Sequence, residues 1–282
     1  MRVPLWLRAL RPGKLPFYWS LYALGVLAVH WMQGAVRILP VIGMLLAATL
    51  LYEAQVFLND YVDREVDRIL DKPTWIRVGL AAETLPWMAG LLILLALALG
   101  NLSAGGYGIG GLTGLLLLGV LYHLPCCPLK RLWPFSLMLI AALGTGAFAL
   151  GLLAASGSLS GLHAVPGRWW AMLFLSFFLV LGNKDRPDVL SERRHRSASL
   201  FTLFPGAAGR RLNALLTFLG FLMPPLWLWP VPLWYAVWAG ILGGTAVILA
   251  LREPYREDLF WGVYFLYAVP TLWIFRMVLL RG

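Results

Sequence analysis

Charge is what this sequence has least of. Asp, Glu, Lys and Arg make up 13% of its 282 residues, where a soluble domain carries about a quarter. A chain so poor in charge cannot cover an aqueous surface, which excludes a soluble globular fold. Cysteine is scarce too: Cys126 and Cys127 are the two, and they are adjacent. Neighbouring cysteines rarely pair, and one such pair makes no zinc site, so neither a disulfide framework nor a redox motif is indicated. The four histidines (His30, His123, His163, His195) have no ligand spacing. His123 reads as a helix-end residue rather than a catalytic base.

What the chain has instead is apolar length. Hydrophobic residues reach 60% and the mean hydropathy is +0.77. About 20 consecutive apolar residues suffice to cross a bilayer as a helix. Nine such stretches are readable: 17–36, 38–58, 85–102, 104–124, 133–155, 166–184, 212–230, 232–251 and 258–280. Tight turns near Arg37, Asn101 and Pro230–Pro232 separate the closest pairs. The runs are too long and too unalternating for a barrel, the other spanning solution. The expected fold is all-α, a multi-pass transmembrane bundle of about nine spans, in one domain covering residues 1–282.

The net charge of +10 is mostly topology. With the N-terminus in the cytoplasm, all but four of the 23 Lys and Arg residues fall on the cytoplasmic side, the exceptions being Arg37, Arg168, Arg276 and Arg281. That bias is the positive-inside rule, and it leaves no surplus for nucleic acid. Residues 1–16 are basic with Trp6, Leu7 and Leu10 interleaved and are punctuated by Pro12-Gly13 and Pro16. They fit an interfacial helix better than a cleaved signal. Residues 59–84 and 183–211 are expected as cytoplasmic cap loops.

The acidic residues are clustered. Of 13, seven lie between Glu53 and Glu83, three between Asp185 and Glu192, and three between Glu253 and Asp258. In Asn59-Asp60-Tyr61-Val62-Asp63-Arg64-Glu65-Val66-Asp67, the residues Asp60, Asp63 and Asp67 share one helix face. Glu53, one heptad earlier, falls on the same face. Two charges about 7 Å apart repel by roughly 2 kcal/mol at an effective dielectric of 20, so this packing calls for a bound hard cation. Mg²⁺ suits it, because that ion takes one or two carboxylates and completes its shell with water and phosphate oxygens. Asp185, Asp188 and Glu192 repeat the spacing at a constant offset of 125 residues. Four spans intervene, so both triplets emerge on one membrane face. Pro187 interrupts a continuous helix there and fits the first turn of a new one starting near Arg186.

These segments resemble the signatures of the UbiA-type intramembrane prenyltransferases. Asn59 to Asp67 matches their NDxxDxxxD pattern, and Lys184-Asp185-Arg186-Pro187-Asp188 is similar to their second, DxxD-containing motif. Tyr122-His123-Leu124-Pro125-Cys126-Cys127-Pro128-Leu129-Lys130-Arg131 is similar to the Tyr…Pro…Lys-Arg stretch between the motifs. The resemblance implies transfer of a prenyl group from a prenyl diphosphate to a lipophilic acceptor, aromatic or isoprenoid, with Mg²⁺ as cofactor. Asn59, Asp60, Asp63 and Asp67 would form the first metal site, and Asp185, Asp188 and Glu192 the second. Asp60, Asp63, Asp185 and Asp188 would be the catalytic carboxylates. Asn59, Lys130, Lys184, Arg193 and Arg194 would hold the diphosphate, with Arg68, Lys72 and Arg77 in the wider basic pool. The membrane bundle would shield the allylic cation from water.

The chain departs from the family where Ser191-Glu192 replaces Gly-Asp, where Thr74-Trp75-Ile76-Arg77-Val78-Gly79 lacks the usual Pro and Ser, and where Arg194 to Ser199 keeps little of a basic-Gly-Thr pattern. All three bear on the acceptor. The KDxPD form leans toward branches acting on homogentisate, chlorophyllide or carotenoids. A membrane terpene cyclase acting without an acceptor is the alternative reading. A transporter is a further one, disfavoured because the midspans are almost uncharged apart from Glu53 and the polar residues gather at one face. The resemblance places the protein in a bacterial inner membrane, surrounded by lipid, with its site on the cytoplasmic side and no obligate protein partner.

Overall fold

A computed structural model of the chain describes residues 10, 15–65, 79–123, 129, 132–186 and 198–280, and of Asp185 the backbone. Among the described residues the fold is all-helical, with no strand and one isolated parallel bridge between Leu132 and Ala198. The helices are α1 (Leu15–Gln33), α2 (Ile38–Val62), α3 (Leu85–His123), α4 (Phe135–Ser156), α5 (Ser160–Ala164), α6 (Gly167–Val180), α7 (Gly182–Asp185), α8 (Leu200–Leu203), α9 (Ala207–Trp227), α10 (Leu233–Leu251) and α11 (Glu257–Leu279). A 3₁₀ turn, Ala82–Thr84, leads into α3. Among the described residues five helical stretches are long and apolar enough to cross a membrane: Ile38–Val62, Ala82–His123, Phe135–Ser156, Leu233–Leu251 and Glu257–Leu279. Large apolar side chains such as Leu39, Trp87, Leu102 and Leu233 stand exposed around the helices, a surface that lipid tolerates and water does not. Residues 1–16, apart from Leu10, Leu15 and Pro16, lie outside the described set, as do 66–78 and 187–197 within the expected cap loops.

The chain forms two compact units. The first comprises Met1–Pro128 and Gly146–Ala164. Its α3 is two helices, broken by the non-helical residues Ala104 and Gly105, where Gly105 takes φ 58°. In one straight helix Gly100 and Leu112 would stand about 18 Å apart. Here a β-carbon on Gly100 would strike Leu112, and one on Gly108 would strike the Gly100 carbonyl, so the arms double back on each other. The expected turn near Asn101 falls a few residues later because Gly105 is the residue that accepts a left-handed backbone at no steric cost.

Glycine contacts set the other crossings as well. Gly25 of α1 meets the backbone of Phe148 to Leu152, and Gly151 of α4 meets the backbone of Tyr22 and Val26. Small residues permit this close approach where no hydrophobic drive joins helices in lipid. Tyr22, Met44, Ala47, Leu51, Ala96, Leu112, Leu150 and Ala154 form the core. The Tyr22 hydroxyl donates to the Val41 carbonyl at 2.7 Å, and Gln55 Nε2 donates to the Leu115 carbonyl at 3.1 Å.

The second unit comprises Leu129–Thr145 and Val165–Gly282. Within it α9 packs against α6 and α10, and α10 against α11. Gly220 of α9 sits on Ser176, Leu179 and Val180 of α6, while Gly243 of α10 sits on Phe218 and Phe221. Pro224 and Pro225 lie inside α9. Pro225 has no N–H to give the carbonyl four residues back, and the Tyr267 hydroxyl donates to that Phe221 carbonyl at 2.7 Å. Tyr235 completes the network, bonding Thr271 Oγ1 at 2.9 Å and Tyr267 Oη at 3.3 Å. Helix α9 starts at Ala207 and takes in Arg210 and Arg211, which hydropathy alone leaves in the loop.

Three stability outcomes are expected. Gly151→Leu must push backbone from backbone and should cost at least the ~1–3 kcal/mol typical of overpacking, lowering the thermal midpoint of the detergent-purified protein by several degrees. Gly90→Ala, with open space around it, should leave the midpoint level or slightly raised. Tyr267→Phe strands a buried carbonyl and should cost about 1–3 kcal/mol in the same assay.

Candidate active site at the two acidic motifs

The first motif closes α2. No proline or glycine stops the helix at the end of the apolar run, so it carries Asn59 and Asp60 on its last turn and is capped by Asp63, whose N–H donates to the Asn59 carbonyl at 2.9 Å. Asp60 is 1% exposed and Glu53 4%. Asn59 and Asp63 are half-buried. Around them Ala54, Phe57, Ala82, Leu85 and Ala89 form an apolar cluster, with Leu10, Leu80 and Tyr61 packed on it. Arg64 turns back over the helix end, donating to the Tyr61 carbonyl at 2.9 Å with its guanidinium 4.6 Å from the Tyr61 ring.

Two features of this end favour a cation. A helix C-terminus carries about half a negative charge, and here Asp60 and Asp63 are added to it. Asn59, Asp60 and Asp63 are hard oxygen donors, the set that suits Mg²⁺ rather than a softer metal. Among the described residues no cluster of three or more His, Cys, Asp and Glu has metal-binding geometry. Asp67, the fourth expected member, lies outside the described residues.

The second motif starts in the second unit. Helix α6 ends at Val180 and, after Leu181 in helical backbone, the four residues of α7 carry Asn183, Lys184 and the backbone of Asp185. Asn183 is fully buried. Its Nδ2 donates to Thr217 Oγ1 at 2.7 Å and to the Val180 carbonyl at 3.0 Å, while its Oδ1 accepts from Asn213 Nδ2 at 2.8 Å. Gly182 lies so close to Asn213 Oδ1 that a side chain there would collide. Lys184 is half-buried. Asp188, Glu192, Arg193, Arg194 and Lys130 lie outside the described residues.

Arg186 closes the described part of the motif. It donates through Nη1 to the Ala250 carbonyl and through Nη2 to the Arg252 carbonyl at 2.6 Å, with its Cζ 4.7 Å from the Tyr255 ring centre. Burial draws its pKa down, opposed by Tyr255 and Glu253. Burial, aided by Glu257, raises the Tyr255 hydroxyl above its ordinary value against the pull of Arg186. Arg210 pairs with Glu253 at 2.9 Å, an exposed contact worth under about 1 kcal/mol. The end of α7, the start of α9 and the loop after α10 thus meet at one end of this unit. The chain before α4 is tied in nearby in sequence: Leu132 bridges Ala198 and the Trp133 N–H donates to the Ala198 carbonyl. Ser199 follows, capping α8 in reciprocal bonds with Thr202.

Sequence reasoning missed Asn183, Asn213, Thr217 and Arg186 as site residues. Asn213 and Thr217 are polar residues four apart in an apolar run, a spacing that can mark function or helix pairing in membranes and was the signal available; the sequence does not name their partner. His123 is the last residue of α3, as its position suggested.

No curated protein matches the chain. Solved structures do. A UbiA homolog from Archaeoglobus fulgidus bound to DMAPP and Mg²⁺ aligns with a TM-score of 0.74 at 13% identity, covering 98% of this chain and 99% of that one. The same homolog bound to GPP and Mg²⁺ gives 0.71 at 14% identity, with coverage of 98% and 99%. A structure described as a digeranylgeranylglyceryl phosphate synthase in membranes gives 0.58 at 19% identity, with coverage of 94% and 98%. At these identities the likeness establishes the fold. The family is established by sequence: residues 15–269 match the UbiA prenyltransferase family. The chain therefore belongs to that family, as an integral membrane prenyltransferase.

Proposed function

We propose that this enzyme transfers a prenyl group from a prenyl diphosphate to a lipophilic acceptor inside the membrane, in a Mg²⁺-dependent reaction. The carrying observation is the carboxylate of Asp60, buried at the negative end of an apolar helix beside Asn59 and Asp63. Structural neighbours bound to DMAPP or GPP with Mg²⁺ support the substrate class and the cofactor.

Asn59, Asp60, Asp63 and Asp67 would hold one metal, and Asp185, Asp188 and Glu192 another. Bound Mg²⁺ supplies Lewis-acid stabilisation of the departing diphosphate. Lys184, with Lys130, Arg193 and Arg194, binds that diphosphate and offsets its charge as the C–O bond breaks. The apolar helices exclude water, so the allylic cation meets the acceptor first. Asp185 or Asp188 takes the proton that the acceptor loses. The acceptor is aromatic or isoprenoid, and the whole chain works as one membrane domain of nine spans. Its N-terminus and site are cytoplasmic in a bacterial inner membrane, residues 1–16 lie along the interface, and residues 59–84 and 183–211 cap the site.

Asp60→Asn and Asp63→Asn should each lower Mg²⁺-dependent diphosphate release from geranyl diphosphate by at least about a hundredfold, since each removes a charged ligand. Retained release in either variant would overturn the assignment. In the wild type, a cyclic hydrocarbon or alcohol formed without acceptor would replace transfer by cyclisation.

The topology has its own test. In a background with Cys126 and Cys127 changed to Ser, cysteines placed at Gln33 and Ser160 should react with a membrane-impermeant maleimide in intact cells. Cysteines at Glu83 and Glu253 should react only after permeabilisation, and the reverse pattern would invert the orientation.

A further inference from the structure

Helix α7 follows α6 across Leu181, whose own backbone is helical and whose N–H bonds the Phe177 carbonyl. Lys184 and Asp185 therefore sit at the far end of a helical stretch. Two side-chain anchors flank them. Asn183 is locked to α9 through Thr217 and Asn213. Arg186 is locked to the end of α10 and the loop beyond it.

The second anchor is specific in its chemistry. Helix α10 ends at Leu251 with Arg252 as its cap, so the carbonyls of its last residues have no partner within the helix. The planar fork of Arg186 meets two carbonyls at this end, those of Ala250 and Arg252, and places its positive charge at the negative helix terminus. The Tyr255 ring covers its face. Lys offers one point charge in place of the fork and stack.

We infer that Arg186 is a positioning residue for the second acidic motif: its grip on Ala250, Arg252 and Tyr255 sets where the Lys184–Asp185 turn is presented. Its guanidinium is engaged by these groups. The inference rests on the proposed role of Asp185 at a metal. Mg²⁺ demands near-ideal octahedral geometry, so a loosened turn weakens metal binding before it weakens substrate binding.

The experiment uses the full-length protein in detergent, with two readouts. One is the Mg²⁺ concentration giving half-maximal diphosphate release from geranyl diphosphate. The other is Mn²⁺ binding with inorganic pyrophosphate, followed by loss of the free-ion electron paramagnetic resonance signal. Arg186→Met and Arg186→Lys should both weaken Mn²⁺ binding and raise the half-maximal Mg²⁺ concentration about tenfold, the lower range for lost outer-shell support. The KM for geranyl diphosphate at saturating Mg²⁺ should change less than twofold.

Should the Arg186 variants fail to fold, Tyr255 carries the test: Tyr255→Leu should move both metal readouts the same way by a smaller factor, and Tyr255→Phe, which keeps the ring, should not. Wild-type metal readouts with only a lowered thermal midpoint would make Arg186 a plain structural contact and overturn the inference. A raised KM with an unchanged Mg²⁺ requirement would make it a substrate contact and overturn the inference equally. Wild-type protein with no Mg²⁺-dependent release would remove the reading beneath the inference, and the inference with it.

Discussion

A carboxylate inside an apolar bundle needs a partner close by, and the first acidic motif is organised around that requirement. Asp60 is sealed from solvent at the end of α2. The helix adds its own negative end, and Asp63 adds a second acid group. We propose that a divalent cation carried in with the anionic substrate adds to the partners these groups already have. Glu53, about 10 Å further down the same helix, is buried as well.

The same requirement for a partner governs the backbone. In lipid every carbonyl needs one within the protein, and the second unit meets the hard cases individually. Tyr267 serves the carbonyl that Pro225 abandons, Arg186 serves those at the end of α10, and the Ser199–Thr202 pair serves backbone N–H groups at the start of α8. Two of these three repairs lie in or just after the segment that carries the second acidic motif. Irregular backbone is costly there, and it is where the chain has to bend to present charge.

How much of this the sequence discloses depends on what marks each feature. Helix α2 begins at Ile38 and α10 ends at Leu251 as expected, because Arg37 and Arg252 stand at sharp borders between charge and apolar run. The start of α9 falls earlier than hydropathy indicates, because Arg210 and Arg211 look like loop but sit on a helix projecting past the apolar layer. The acidic triplets are visible because side-chain spacing is written in sequence. Arg186 is not legible as an anchor, because its partners are backbone carbonyls more than 60 residues away, and every residue has one. Buried asparagines such as Asn213 announce that a partner exists without naming it.

The reversal at Ala104–Gly105 bears on how the protein enters its membrane. The two arms of α3 are joined by a bend of two residues, and no charged residue occurs between Glu83 and Lys130. There is no hydrophilic loop to translocate and no charge at the bend to direct it. The basic flanks, Lys72 and Arg77 before it and Lys130 and Arg131 after it, are the charges the positive-inside rule has to act on. An insertion that parted the arms, even one made of apolar residues, would damage biogenesis before it touched chemistry.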